Sequence, residues 1–429
     1  MTTIPRERSF DSSLALLRDG FTFIQKRCRR HGSDLFRTRI LLQNTICLTG
    51  EEAARLFYDP GRFVRHGAIP TPIQKTLLGE RSVMTLDGTV HRHRKAMLMS
   101  VMTPASIQTL LQRLNEQWRA YCERWTGADS AAQPPIVLFR QAGEMLCRAA
   151  CAWAGVPLPE PEVRRRSRDL ATMIDAFGGV GLRHFRGRWA RQRTERWMQG
   201  IIGQIRSGQL PVGPDSPAYR VAHYEEPDAR TGDVKPLDAR LAAVELINLV
   251  RPIVAIAWYV TFSALALHEH PAWRQRLQGA SDEELGWFVN EVRRFYPFAP
   301  LTGARVREEF VWRDYVFPKA TLVLLDLYGT NRDARLWTDP DEFRPDRFRQ
   351  RPPTAFDLIP QGGGDYLGGH RCAGEWITIE AAKLTLRFLT RHITYEVPPQ
   401  DLRFSLARMP TRPRSGFRIR QVQRQSVSV

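Results

Sequence analysis

The chain has 429 residues, 43% of them apolar, which is enough to bury a large core and excludes general disorder. Lys and Arg number 63 against 45 Asp and Glu, a formal net charge of +18. The basic residues are spread along the chain without a nucleic-acid motif, so a nucleic-acid partner is not expected; an arginine-rich solvated surface accounts for the charge, and a positive field can steer anionic substrates inward.

The N-terminus lacks the apolar stretch of a signal peptide or anchor, which predicts a soluble, cytoplasmic protein. Residues 34–50 alternate apolar and polar and predict strands. From about 91 to 300 the pattern is mostly helical, broken by loops at Pro134-Pro135 and at 157–161. Residues 207–238 are rich in Gly, Pro and charge and predict a long surface connection. Helical periodicity returns at 239–268 and 281–296. Leu246 to Leu267 is about long enough to cross a bilayer. It carries Asn248, Arg251 and Pro252, however, and a central arginine costs at least ~2.5 kcal/mol on insertion. A buried core helix is therefore expected, and no integral membrane span.

Residues 301–325 hold β-branched runs broken at Pro318 and predict short strands. Residues 329–371 are loop-like, and 373–390 form a helix rich in good helix formers. The polar tail from about 421 is expected to be frayed and disordered. The usual size of roughly 150 residues per domain would allow two or three domains, but no linker supports a cut. The expectation is one domain over 1–429, mainly α with a minor β region.

Six cysteines occur, in spacings that match no zinc pattern, and a disulfide framework is not expected without a signal peptide. Cys28, Cys47, Cys122, Cys147 and Cys151 read as small buried hydrophobes. Cys372 differs, because five glycines crowd the eleven residues before it, in Gln361-Gly-Gly-Gly-Asp-Tyr-Leu-Gly-Gly-His-Arg-Cys372. Glycine permits positive φ and close backbone approach to a flat ligand. Backbone N–H groups at the following helix would favour a thiolate. Such a thiolate, as axial ligand to haem iron, pushes electron density that favours O–O cleavage. His370 and Arg371 would then pair with haem propionates. Glycine-rich turns before helices also bind phosphate, but this one lacks the Lys-Ser/Thr ending of a phosphate loop.

Two further segments bear on the choice. Glu291-Val-Arg-Arg294 places Glu and Arg at i and i+3 of a helix, and Asn331 to Phe348 ends in Phe-Arg-Pro-Asp-Arg347-Phe. With the cysteine loop, in this order, they make the chain resemble the cytochrome P-450 superfamily. The resemblance covers most of the chain and implies that fold with a single haem-binding domain. It also implies haem b bound through Cys372, and a structural lock of Glu291 and Arg294 with Arg347. One departure stands out: the superfamily loop usually has Phe seven residues before the cysteine, and here Asp365 stands there.

The central helix also departs. Ordinary members carry an acid-alcohol pair at its middle; this chain has Asn248-Leu-Val-Arg-Pro-Ile-Val-Ala-Ile-Ala-Trp258. Pro252 lacks an N–H and frees a carbonyl one turn earlier. Arg251, in an apolar run, needs an anion. A carboxylate gripped by two N–H groups fits, and so would a distant protein acid. Glu245, six residues away, is poorly spaced for an in-helix pair. The Arg-Pro pair, the glycine-rich loop, and Asp87-Gly88 followed by His91, Arg94 and Lys95 resemble the fatty-acid peroxygenase and decarboxylase family of cytochromes P-450.

That resemblance implies oxidation of long-chain fatty acids at Cα or Cβ by hydrogen peroxide, without a redox partner protein. Arg251 and Pro252 would form the catalytic pair, with the substrate's carboxylate replacing the missing acid. Met84 matches a distal position at which some relatives carry histidine and form terminal alkenes, while others carry glutamine and hydroxylate; plain apolar packing is the other reading of this residue. Leu78, Phe298 and Val180 match the acyl-chain channel, with Phe177 to Gly181 on the same wall. His91, Lys95, Arg371 and Arg65 would bind the propionates; a solvated basic face is the other reading of His91 and Lys95. The competing functions are a conventional monooxygenase fed by a redox partner, and a non-catalytic haem or fatty-acid binding protein.

Overall fold

The computed structural model describes residues 3–126, 134–227 and 233–425. Its axis is the helix Ala239–Glu269, started by Asp238, whose Oδ1 accepts the Leu241 N–H at 2.9 Å. From Leu241 to Leu267 every residue of this helix except Pro252 is buried. The helices Leu138–Ala154, Leu182–Arg206 and Glu375–Arg387 pack around it and share one large apolar core with it. Its most apolar stretch is 89% buried in protein, so the span that is long enough for a bilayer is a core helix.

The helix Asp282–Phe295 opens with a capping box between Ser281 and Glu284 and ends on Arg293 and Arg294, charges that suit both ends of its dipole. The minor β region is a five-stranded sheet in the order Leu35–Ile40, Gln43–Leu48, Leu322–Asp326, Leu301–Val306, Phe63–Val64. Leu35 pairs with Leu48 antiparallel, and Val323 runs parallel beside Ile46. The sheet has its own small core around Phe57, Phe63, Val323 and Ile359. The five cysteines other than Cys372 are buried and free.

Two expectations are corrected. Residues 207–238 are not a bare connection: Pro217–Ala222 is a helix capped by Ser216, and Glu225–Pro227 pairs with Val234–Pro236. Pro217, Ala218, Val221 and Ala222 are buried, four apolar side chains that anchor a segment otherwise polar in composition. The tail does not fray at 421 either. The strand Arg418–Arg424 pairs with Ile393–Glu396, because Ile419 and Val422 point inward between exposed polar neighbours.

Candidate active site

A cavity of about 410 Å³ lies between the middle of the central helix and the cysteine loop, within the ~300–1,000 Å³ range of small-molecule sites. The central helix contributes Asn248, Arg251, Pro252, Ala255 and Tyr259; the loop contributes Gly362, His370, Arg371 and Cys372. Leu78, Met84 and Phe298 line it too, as do Arg65, His91 and Lys95. No Asp or Glu lies among the lining residues.

The cysteine loop is shaped by its glycines at two points. Gly364 sits at φ +78°, and a Cβ on Gly363 would lie 2.5 Å from the Ala355 carbonyl oxygen. The loop closes where the Cys372 N–H donates to the Gln361 carbonyl at 3.1 Å, and the Gln361 amide lies 3.8 Å from Cys372 Sγ. Burial pushes the thiol above its ordinary range, against the pull of the Gly374 N–H, Lys95 and Arg293. The helix start alone therefore does not make a thiolate here; a metal bound to sulfur would.

Around the loop, the Lys95 Nζ donates to the Arg371 carbonyl at 2.6 Å, and Arg371 pairs with Glu375. Arg65 Nη1 donates to the Gly303 carbonyl at 2.7 Å and its guanidinium covers the Phe57 ring. His91 and His370 stack with centroids 3.9 Å apart. Burial pushes His91 down to about 4 and His370 further, so both imidazoles are neutral at ordinary pH. This set fits a haem: a soft sulfur donor, glycine backbone beside it, and Arg65, Lys95 and Arg371 gathered where two acidic groups need neutralising.

Arg251 is 6% exposed. Its Nη1 donates to the Leu77 carbonyl at 2.9 Å and its Nη2 lies 3.5 Å from Asn248 Oδ1. Nε has no partner among the described residues, and no carboxylate of those residues pairs with the guanidinium. Burial, reinforced by the like charge of Arg191, pulls its pKa down to about 9. Among the described residues this is a cation without its anion.

Behind the cavity, Glu291 and Arg294 form a two-bond pair at 2.7 Å each, both fully buried. Arg347 Nε joins at 3.2 Å from Glu291, and the Arg344 N–H donates to the same carboxylate. Arg294 also donates to the Pro340, Asn331 and Glu342 carbonyls, tying the helix to the 331–348 loop.

Val180 is misplaced by the sequence reading: it is 67% exposed and does not line the cavity. Gly178 and Gly181, both at positive φ, turn the chain so that Phe177 takes the inward position against Met409. Sequence reasoning also missed Asn248, Tyr58 and Gln361 in the lining, and the buried Arg94–Glu245 pair beside it. Asn248 and Glu245 carried a signal, since two polar residues one turn apart lead up to Arg251 in an apolar helix.

Residues 285–416 match the family model described as cytochrome P-450. Cytochrome P-450EX alpha, solved with myristic acid, is 39% identical, covers 99% of this chain and 100% of its own, and has a TM-score of 0.93. Cytochrome P-450SP alpha, solved with (R)-ibuprophen, is 44% identical over 96% of this chain and 99% of its own, at a TM-score of 0.91. A cytochrome P-450 OleT variant with arachidonic acid is 33% identical over the full length of both chains, at a TM-score of 0.93.

Proposed function

Since the chain belongs to the fatty-acid peroxygenase and decarboxylase family of cytochromes P-450, we propose that it oxidises long-chain fatty acids at Cα or Cβ with hydrogen peroxide, using haem b held by Cys372. The observation that carries this reading is Arg251, a buried guanidinium facing the same cavity as Cys372 with no acid among the described residues to neutralise it. The solved relatives were captured with carboxylic acids, which agrees with an anion at this position.

Cys372 would bind the iron, and Arg65, His91, Lys95 and Arg371 would hold the haem carboxylates. When bound, the haem supplies the oxidising centre, and its thiolate ligand favours O–O cleavage. Nη1 of Arg251, fixed on the Leu77 carbonyl, sets the plane of the guanidinium. The guanidinium then grips the substrate carboxylate by charge-assisted N–H···O bonds. Pro252 keeps the helix from closing a bond back to the Asn248 carbonyl at this point.

With no Asp or Glu among the described residues that line the cavity, the gripped carboxylate is the group that moves the proton between peroxide oxygens. Anchoring the acid end also places Cα and Cβ first in reach, so regiochemistry is a matter of position. Leu78, Met84 and Phe298 guide the acyl chain. Glu291, Arg294 and Arg347 act structurally, behind the haem. Neither a redox partner protein nor a nucleic acid enters this scheme, and the protein works in the cytoplasm.

The test is product analysis with peroxide and saturated acids of graded chain length. Hydroxy acids at Cα and Cβ, with or without terminal alkenes, are expected. Turnover only with NAD(P)H and a ferredoxin would make it a conventional monooxygenase, and binding without turnover would make it a carrier.

A further inference from the structure

Glu245 is fully buried one turn before Asn248 and does not line the cavity, yet its carboxylate meets two of the cavity's walls. Its Oε1 accepts the Val83 N–H at 2.8 Å and lies 3.3 Å from Arg94 Nη1. Val83 begins the short turn that carries Met84 into the cavity. Its Oε2 accepts from the Asn248 amide at 3.2 Å, and Asn248 Oδ1 in turn faces Arg251 Nη2. Residues 245, 248 and 251 thus step along the central helix as acid, amide and guanidinium.

An amide has a donor end and an acceptor end, and its neighbours decide which way it points. Oε1 of Glu245 faces the Val83 N–H and Arg94 while Arg251 only donates, so Asn248 turns its NH2 toward Glu245 Oε2 and its oxygen toward Arg251. The reverse orientation would set oxygen against carboxylate and NH2 against guanidinium. Arg94 lies between two carboxylates, paired with both oxygens of Glu226 and 3.3 Å from Glu245 Oε1, so Glu245 shares this cation rather than owning it. Burial holds the Glu245 carboxyl above its ordinary range, against the pull of Arg94 and of the Asn248 and Val83 N–H donors.

We infer that Glu245 is a positioning residue for the substrate anchor, acting through the orientation of Asn248 and, by its hold on Val83, keeping Met84 and Arg251 in fixed relation. The inference rests on Arg251 being the anchor, as proposed above. By it, Glu245 sets fatty-acid affinity and the Cα to Cβ product ratio without touching substrate.

The experiment compares Glu245→Gln, Asn248→Ala and Arg251→Ala, each loaded with haem. Hexadecanoic acid binding is read by calorimetry, and the Cα to Cβ ratio by product analysis with peroxide. A glutamine amide can donate, so Asn248 is free to flip. The expected result is an affinity loss of about tenfold in Glu245→Gln with a changed ratio, the same direction in Asn248→Ala, and an unchanged reduced-CO spectrum in both. Wild-type affinity and ratio in both, with binding lost in Arg251→Ala, would overturn the inference and leave the anchor standing. Binding retained in Arg251→Ala would instead remove the anchor itself. If Glu245→Gln does not fold, Asn248→Ala decides on the same two readouts.

Discussion

The nitrogens of Arg251 divide the labour of anchoring. Nη1 is committed to the Leu77 carbonyl, Nη2 rests at the edge of reach of Asn248, and Nε is unpartnered among the described residues. A buried cation in this state weighs against folding until an anion arrives. Arg251→Met keeps much of the bulk and removes the charge. It should raise the stability of the fatty-acid-free protein by about 1–3 kcal/mol while abolishing peroxide-driven oxidation of fatty acids. Thermal denaturation checks the first and product analysis the second; a less stable variant would mean that the guanidinium is already compensated. Arg251 was legible from its type alone, because an arginine in an apolar run must face something charged. Its bridge to Glu245 was not, because a spacing of six was weighed as a direct pair and Asn248 as an intermediary was not considered.

Among the elements, two buried carboxylates make opposite claims on stability. Glu291 is matched by Arg294 and Arg347. Truncation in Glu291→Ala strands Arg294 as an unpaired buried charge and should cost about 3–5 kcal/mol, measured by urea denaturation; a loss under about 1 kcal/mol would mean that the pair behaves like a surface bridge. Asp326, at the end of its strand, accepts the Gly329 N–H at 2.7 Å through Oδ1 and is also approached by the Gln25 backbone N–H, with no cation paired to it among the described residues. Burial pushes its carboxyl up to about 7. The folded state therefore holds the proton more tightly than the unfolded chain, whose carboxyl titrates near ~3.9. The contribution of Asp326 to stability is therefore greatest below that value and falls as pH rises toward about 7, by at most about 4 kcal/mol. Asp326→Asn keeps the Oδ1 acceptor and should be more stable than the wild type at pH 8 but not at pH 4, as read from thermal midpoints. An equal difference at both pH values would contradict the assignment.

At the scale of the molecule, long periodic segments were legible and short irregular ones were not. The central helix, the helix after Cys372 and the strands at 34–50 follow from runs of apolar residues with a clear period. The strand pair within 207–238 and the strand at the C-terminus have too few residues to show a period; Ile419 and Val422 of the latter are placed by the core they meet. For the site, chemistry was more legible than geometry. Cys372 and Arg251 were found by type and context, and His91 and Lys95 through the family resemblance, and all four line one cavity, whereas Val180 was placed by position along the chain and is turned outward by glycine backbone.

The central claim is that the acid needed to cleave peroxide comes with the substrate. It is tested most directly by comparing peroxide-driven oxidation of hexadecanoic acid with that of its methyl ester, which has the same chain and no ionisable carboxyl. The expected result is oxidation of the acid and none of the ester above the level of Arg251→Ala. Oxidation of the ester at a rate equal to that of the acid would contradict the claim, since the proton would then have to come from the protein.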